Sequence, residues 1–117
     1  MSRFTAIDKL FRQIIVAERP HKCEWCGKQP EVLQVAHILP KGSWPRLRYQ
    51  RANVLLLCYY CHMERAHKSP LEFREWLTSY KGGDPLNNLR AMARELPKID
   101  LKMIALCLKE QLKFNHP

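Results

Sequence analysis

Two Cys-x-x-Cys pairs constrain the fold of this chain more than any other feature of its sequence. The pairs are Cys23/Cys26 and Cys58/Cys61. A gap of two residues lets both thiolates of a pair face one metal ion, and tetrahedral zinc takes four such ligands. Residues 27–57 separate the pairs, a longer stretch than the about 15–20 residues of a simple zinc ribbon. We therefore expect one structural Zn²⁺ with a further element inserted between the pairs; redox-active or coincidental pairs are the alternative.

Length and composition favour one basic, intracellular domain. The chain has 117 residues, with 20 Lys and Arg against 11 Asp and Glu and a formal charge of +9. This excess favours a polyanionic partner, of which nucleic acid is the commonest, over a merely solvated basic surface. No run of 18 apolar residues and no apolar signal core occur in the sequence, so we expect a cytoplasmic protein with no membrane partner. In a reducing compartment cysteines serve as metal ligands or free thiols, and Cys107 is expected to be a plain thiol.

The periodicity of apolar residues predicts an α+β protein that is mostly helical. An amphipathic helix opens the chain over residues 3–18, and helices occupy most of residues 70–117. Two short strands are predicted around residues 32–38 and 53–57, with a basic, proline-containing loop over residues 40–51 between them. Ser69 and Asp84, each followed by proline, are predicted helix caps. We treat residues 1–117 as a single domain.

Three segments between and beside the cysteine pairs carry a family resemblance. They are Ala36-His37-Ile38-Leu39-Pro40, the run from Arg51 to Cys58, and Cys61-His62. Together they resemble the HNH, or ββα-metal, endonuclease family, and the resemblance covers about residues 20–68. It implies a central ββα-metal core stapled by the four-cysteine zinc site, with helices on either side. Small proteins with two such knuckles are similar to those of bacteriophages and mobile elements.

The resemblance also implies roles for three polar residues. His37 is the expected general base, Asn53 holds the loop that orients the base, and His62 binds a catalytic divalent ion, Mg²⁺ or Mn²⁺. The chemistry is consistent with these roles, because a neutral imidazole can take a proton from water near neutral pH. The alternatives are an ordinary histidine between apolar neighbours, a turn or cap asparagine, and a histidine that hydrogen-bonds beside the zinc site.

One position departs from the common pattern of the family. Many members place Asp or His directly before the base, where it binds the metal, and this chain has Ala36 there. Another ligand is therefore needed. His67, five residues after His62, is the nearest candidate, although this spacing is looser than the four-residue spacing that aligns ligands on a helix. Water could fill the same position, since magnesium keeps several waters.

The loop between the predicted strands is the expected DNA-binding segment. Cations neutralise phosphates, and aromatic side chains can stack on bases. The alternative is a solvated loop whose aromatic residues cover the core. The expected DNA contacts are Lys41, Arg46, Arg48 and Arg51, with Trp44 and Tyr49 interleaved.

These features predict a metal-dependent DNA endonuclease that hydrolyses phosphodiester bonds, by nicking or by double-strand cutting. The first alternative is a zinc-stabilised nucleic-acid-binding module without catalysis, which the alanine before the base favours. The second is a basic interaction subunit of a larger nuclease or packaging complex, whose partners would be phage packaging or replication proteins. The sequence leaves DNA specificity and oligomeric state open.

Overall fold

The computed structural model describes residues 3–115 and has five helices and two strands over that range, besides shorter helical turns. It is a mostly helical α+β structure, as the sequence predicts. None of its helices is both long and apolar enough to cross a lipid bilayer. The extension of the predicted domain to residues 1, 2, 116 and 117 lies outside the described residues. The elements are α1 (Thr5–Glu18), β1 (Gln34–His37), β2 (Val54–Leu57), α2 (Ala66–Lys68), α3 (Pro70–Lys81), α4 (Pro85–Glu95) and α5 (Leu101–Asn115).

Helix α1 supplies one wall of the main core. Its apolar residues recur at helical spacing, and Phe11, Ile14 and Ile15 are buried. These side chains share a core cluster with Leu108 of α5 and Leu77 of α3. Burying a large apolar side chain stabilises a fold by about 1.5–3 kcal/mol, so this cluster anchors both ends of the chain onto the central sheet.

The two strands form an antiparallel pair. Val35 lies opposite Leu56, and His37 lies opposite Val54. Every residue of β2 is buried, which explains its uninterrupted apolar sequence, whereas β1 is mostly half-buried. The first strand is shorter than residues 32–38, and Val32 is exposed to 72%. Residue 53 belongs to a 3₁₀ turn before β2 and not to the strand itself.

A long loop joins β1 to β2 where the composition predicts one, and it is packed against the fold. Two 3₁₀ turns, Pro45–Leu47 and Arg51–Asn53, lie within it. Leu47 is fully buried and forms a second core cluster with Leu89 and Ala93 of α4. Helix α4 therefore holds the loop in place through apolar contact.

The two predicted caps behave differently. Asp84 caps α4 as predicted, because its carboxylate accepts hydrogen bonds from the backbone N–H groups of Leu86 and Asn87. Ser69 is the N-cap residue of α3 with Pro70 at the first helical position, as predicted, but its side chain makes no capping hydrogen bond. Its own N–H is donated to the carbonyl of Arg65, which continues the preceding helical turn.

Candidate metal centre and catalytic cavity

The four cysteines of the two pairs converge on one point. Their Sγ atoms all lie within 4.8 Å of one another. The Sγ atoms of Cys26 and Cys58 are 3.8 Å apart. Tetrahedral geometry with Zn–S bonds of about 2.3 Å requires sulfur atoms about 3.8 Å apart. The cluster could therefore hold a metal ion such as zinc, and the predicted ligands are brought together.

Backbone geometry shapes each knuckle for thiolate ligands. The N–H of Cys26 points at Cys23 Sγ at 3.5 Å, and the N–H of Cys61 points at Cys58 Sγ at 3.4 Å. Gly27 ends the first knuckle with φ near 80°, a conformation that disfavours other residues. Burial raises the pKa of Cys23, but backbone N–H groups directed at its sulfur outweigh burial and lower the pKa to about 7. Cys26 and Cys61 do not share this shift, because burial raises their pKa values.

Glu24, inside the first knuckle, ties the cluster to the rest of the fold. Its Oε2 atom accepts hydrogen bonds from the N–H of Leu56 at 2.6 Å and from Arg19 at 2.9 Å. Its Oε1 atom accepts the hydroxyl of Tyr80 at 2.8 Å. Through this one carboxylate, β2, the end of α1 and the end of α3 all contact the knuckle, so the cysteine cluster is a junction of the fold.

A cavity of about 670 Å³ lies between α1, β1 and the segment that follows Cys61. The first turns of α1 form one side, and β1 with the π-helical segment Tyr60–Arg65 forms another. His37 and His62, the predicted base and metal ligand, both line it. The structure thus brings together two histidines that are 25 positions apart in the sequence.

The ring of His37 is oriented by the chain of the β1–β2 loop. Its Nε2 atom lies 2.9 Å from the backbone carbonyl oxygen of Arg48. A carbonyl oxygen can only accept, so Nε2 carries the proton and Nδ1 carries the lone pair. Burial lowers the pKa of His37 below its ordinary value, with smaller contributions of both signs from neighbouring charges. His37 is therefore a neutral imidazole with a basic nitrogen near physiological pH.

The side chain of Arg48 has a structural place in the fold. It is exposed to only 9%. Its Nε and NH2 atoms donate to the two carboxylate oxygens of Asp8 at 3.0 and 2.6 Å, and the guanidinium lies 4.0 Å from the ring centre of Phe4. The bond to Asp8 is the main cause that raises the pKa of Arg48. This pairing fixes the loop at the carbonyl that orients His37, and leaves little of the predicted DNA contact exposed.

Asn53 connects the two ends of the same loop. It is fully buried, and its Oδ1 atom accepts the N–H of Leu39 at 2.8 Å. Its Nδ2 group donates to the carbonyls of Leu39 and Leu47 at 3.0 and 3.2 Å. Asn53 thereby fixes the backbone that directly follows β1 and His37. Its hydrogen bonds match the loop-holding role that the resemblance implies.

His62 is oriented in a complementary way. Its Nδ1 atom lies 2.7 Å from the Oε1 atom of Gln34 on β1. An amide oxygen only accepts, so Nδ1 carries the proton and Nε2 keeps its lone pair. Burial is the largest cause that lowers the pKa of His62, and the nearby His67 and His37 lower it further. His62 thus presents a neutral nitrogen that could hold a metal ion.

His67 is exposed and joins no group of three closely placed donor residues. Within residues 3–115, the cysteine cluster alone forms such a group. Apart from His37, the predicted base, the described residues place one histidine in the cavity, His62. Nothing in it assigns His67 to the position that Ala36 leaves without a ligand.

The remaining predicted DNA contacts differ in their surroundings. Lys41 lines the cavity, is exposed, and lies 3.5 Å from Asp8. Arg51 is engaged by both oxygens of Glu18 at 2.7 Å and by Gln111 at 2.6 Å. This pairing joins α1, the loop and α5, so Arg51 has a bracing role in the fold. Arg46 is exposed and lines a different cavity.

Tyr49, one of the two interleaved aromatic residues, is buried. Its ring packs edge-on against Phe11 at 5.6 Å, and its hydroxyl donates to Asp8 at 2.7 Å. The alternative in which the aromatic residues of the loop cover the core therefore holds for Tyr49. Trp44 is half-buried and packs against the second core cluster.

Among the cavity-lining residues that the sequence does not predict are Lys9, Arg12 and Gln34. Lys9 and Arg12 are three positions apart on the exposed face of α1. Their spacing places them on one face, a signal that the sequence carries. Gln34 interrupts an apolar strand, which marks it as unusual but does not reveal its partner.

Comparisons with protein-family models, with curated proteins and with solved structures find no match for this chain.

Proposed function

We propose that this chain is a metal-dependent endonuclease that hydrolyses phosphodiester bonds in DNA. The observation that carries the proposal is the pair of histidines in one cavity. His37 and His62 line the same cavity, and each donates one ring N–H to a fixed oxygen acceptor. Their free nitrogens suit a base and a metal ligand, which are the two roles that such a reaction needs.

His37 has the proton-transfer role. Its Nδ1 atom takes a proton from water, the water oxygen forms a bond to phosphorus, and the bond from phosphorus to the leaving oxygen breaks. The carbonyl of Arg48 stabilises the imidazolium that results, because it keeps accepting the Nε2 proton. General-base catalysis of this kind contributes typically about 10²–10⁴ in rate.

A divalent ion in the cavity would take its ligands partly from the protein and partly from water and the substrate. His62 offers one nitrogen, and water and a phosphate oxygen would complete the shell, as they do at many phosphate sites that use Mg²⁺. Mn²⁺ is the second candidate. When bound, the ion would neutralise charge on the phosphate and on the leaving oxygen. The cysteine cluster is separate and is assigned a structural Zn²⁺.

Three cations around the cavity support a polyanionic substrate. Lys9 and Arg12 lie on α1, and Lys41 lies in the β1–β2 loop. Among the described residues Lys9 and Arg12 form no ion pair, and Lys41 forms only a long, exposed one with Asp8. Unpaired cations attract phosphates and make binding dependent on salt. This arrangement favours a DNA backbone that passes over the cavity mouth.

A second candidate is a zinc-stabilised DNA-binding module without catalysis. One observation favours it. Ala36 is 5% exposed and has no donor atom, and His62 is the one side-chain donor nitrogen that we assign to the second metal. A weakly held ion would leave binding intact and hydrolysis absent. Cleavage itself separates the two candidates.

The test is the conversion of supercoiled plasmid to nicked or linear DNA in Mg²⁺ or Mn²⁺. We expect cleavage by the parent protein and a loss of about 10²–10⁴ in rate for His37→Ala. His21→Ala is the matched control, because His21 is an exposed histidine outside the cavity. DNA binding without cleavage would favour the second candidate. Cleavage by folded His37→Ala at the parent rate would contradict the proposed base.

A further inference from the structure

A second cavity, of about 950 Å³, lies on the other side of the first turn of α1. It is formed by three segments that are far apart in the sequence. Arg3 and Phe4 precede α1, Pro45 and Arg46 belong to the first 3₁₀ turn of the loop, and residues 98–102 lead into α5. Neither the cysteine cluster nor the two histidines belong to it.

The charge of this cavity is strongly unbalanced. Its walls carry one acidic residue, Asp100, whose carboxylate accepts the N–H of Met103 at 3.2 Å and so caps the start of α5. Four exposed cations line the walls, and none of them belongs to an ion pair of the described residues. They are Arg3, Arg46, Lys98 and Lys102.

These four cations differ from the arginines that join elements of the fold. Elsewhere, arginines that join elements of the fold are matched by carboxylates, as Arg48 is by Asp8 and Arg51 by Glu18. Cations that converge on a concave surface repel one another and so favour an anion between them. The cavity therefore has the electrostatic character of an anion-binding site.

Its size and lining indicate more than a single small anion. The volume lies in the range of about 300–1,000 Å³ that small-molecule sites occupy. Apolar side chains line it beside the cations, namely Phe4, Pro45, Ile99 and Leu101. Apolar surface between cations suits the sugars of a nucleic-acid backbone, whose phosphates meet the charges.

The second cavity adjoins the catalytic one. Phe4 lines the second cavity, and the next residue, Thr5, lines the catalytic cavity. The Asp8–Arg48 pair connects them, since Asp8 lines the catalytic cavity and the guanidinium of Arg48 stacks on Phe4. The two cavities therefore lie next to each other at the start of α1.

From these observations we infer that the second cavity binds the phosphodiester backbone of DNA beside the bond that is cut. The inference rests on the proposed function for the identity of its ligand. The charge and the apolar lining give the site its selectivity for backbone over a free anion. Its cations come from three separate segments, so the site exists only in the folded chain.

The test compares two double variants of α5 and the residues before it. Lys98→Gln/Lys102→Gln removes two cations of the cavity, and Lys109→Gln/Lys113→Gln removes the same charge from the same helix beyond the cavity. All four lysines are exposed, so we expect both variants to keep the parent melting temperature. Affinity for a short DNA duplex is measured across a salt series without added Mg²⁺ or Mn²⁺.

We expect the log–log salt slope of Lys98→Gln/Lys102→Gln to become less negative by about 0.9 for each phosphate that the variant no longer neutralises. The slope of the control variant should match the parent. Arg46→Gln, which removes a cation from another segment of the cavity wall, should make the slope less negative by about 0.9, because Arg46 neutralises one phosphate. Slopes that match the control for both cavity variants would overturn the inference.

Two further outcomes keep this inference separate from the proposed function. If the cavity variants flatten the slope but the parent protein never cuts plasmid, DNA binding by the second cavity is supported and the nuclease activity is refuted. If the parent cuts plasmid and the slopes are unchanged, the nuclease activity is supported and DNA binding by the second cavity is refuted. The last measurement is competition with inorganic phosphate. If phosphate saturates the cavity while the salt slopes of the cavity variants equal that of the control variant, the cavity is a free-anion site and the assignment to DNA is overturned.

Discussion

His62 donates its Nδ1 proton to the Oε1 atom of Gln34, 2.7 Å away on the neighbouring strand. This bond fixes both the orientation of the imidazole ring and the nitrogen that stays free. Histidines that bind metals usually have such a partner, and its removal typically weakens metal binding by about 10–100-fold. We therefore propose Gln34 as a positioning residue for the second metal of the proposed nuclease.

Replacement of Gln34 by alanine is expected to raise the Mn²⁺ concentration needed for half-maximal cleavage by about 10–100-fold. Saturating Mn²⁺ should restore most of the rate, because His37 is untouched. Calorimetric titration of Mn²⁺ in the presence of DNA gives a readout independent of cleavage. Gln13→Ala, an exposed glutamine on α1, is the control. An unchanged Mn²⁺ requirement in Gln34→Ala would remove Gln34 from this role.

The pH dependence of cleavage should follow the depressed pKa of His37. The base is active when deprotonated, and burial lowers its pKa below the ordinary value of 6.5. The active form therefore persists to lower pH than for an exposed histidine. We expect kcat/KM to fall on the acidic side with a midpoint below 6.5. A midpoint above this value would show that His37, in the orientation described, does not control the rate.

Removal of the metal from the cysteine cluster should unfold the protein. Apparent binding free energies of structural zinc are about 10–16 kcal/mol at neutral pH, as large as the about 5–15 kcal/mol that stabilises a typical domain. We expect elemental analysis of the parent protein to find about one zinc per chain. Cys58→Ser should lose both this zinc and the cooperative melting transition. Cys107→Ser should keep both, because Cys107 is exposed and lies outside the cluster. Full stability without zinc would exclude a structural site.

Asn53→Ala should be strongly destabilising. It leaves the N–H and carbonyl of Leu39 and the carbonyl of Leu47 without their side-chain partner. An unsatisfied buried polar group costs about 1–3 kcal/mol, so we expect a decrease of about 3 kcal/mol or more in the free energy of unfolding, measured by chemical denaturation. Asn88→Ala, at an exposed position of α4, should change stability by less than about 0.5 kcal/mol. Equal effects of the two substitutions would contradict the loop-holding role of Asn53.

Local patterns were sufficient to predict several parts of this structure. The spacing of apolar residues predicted α1, because a helix buries one face at intervals of three and four residues. The two cysteine pairs predicted a cluster, since a knuckle needs only a two-residue gap to aim both sulfurs at one ion. Asp84 before Pro85 predicted a helix cap, because the capping interaction spans only a few residues.

Tertiary structure alone decided which polar residues share a cavity and which are structural. Arg46 and Arg48 are two positions apart in one basic loop, yet Arg46 is exposed and Arg48 is paired with Asp8. Gln34 acquires its role only when the segment after Cys61 brings His62 against β1. Lys98 and Lys102 line the same cavity as Arg46, which belongs to a distant segment of the chain. Each of these contacts joins residues whose separation in the chain carries no periodic signal, so packing of the core, and not local sequence, determines them.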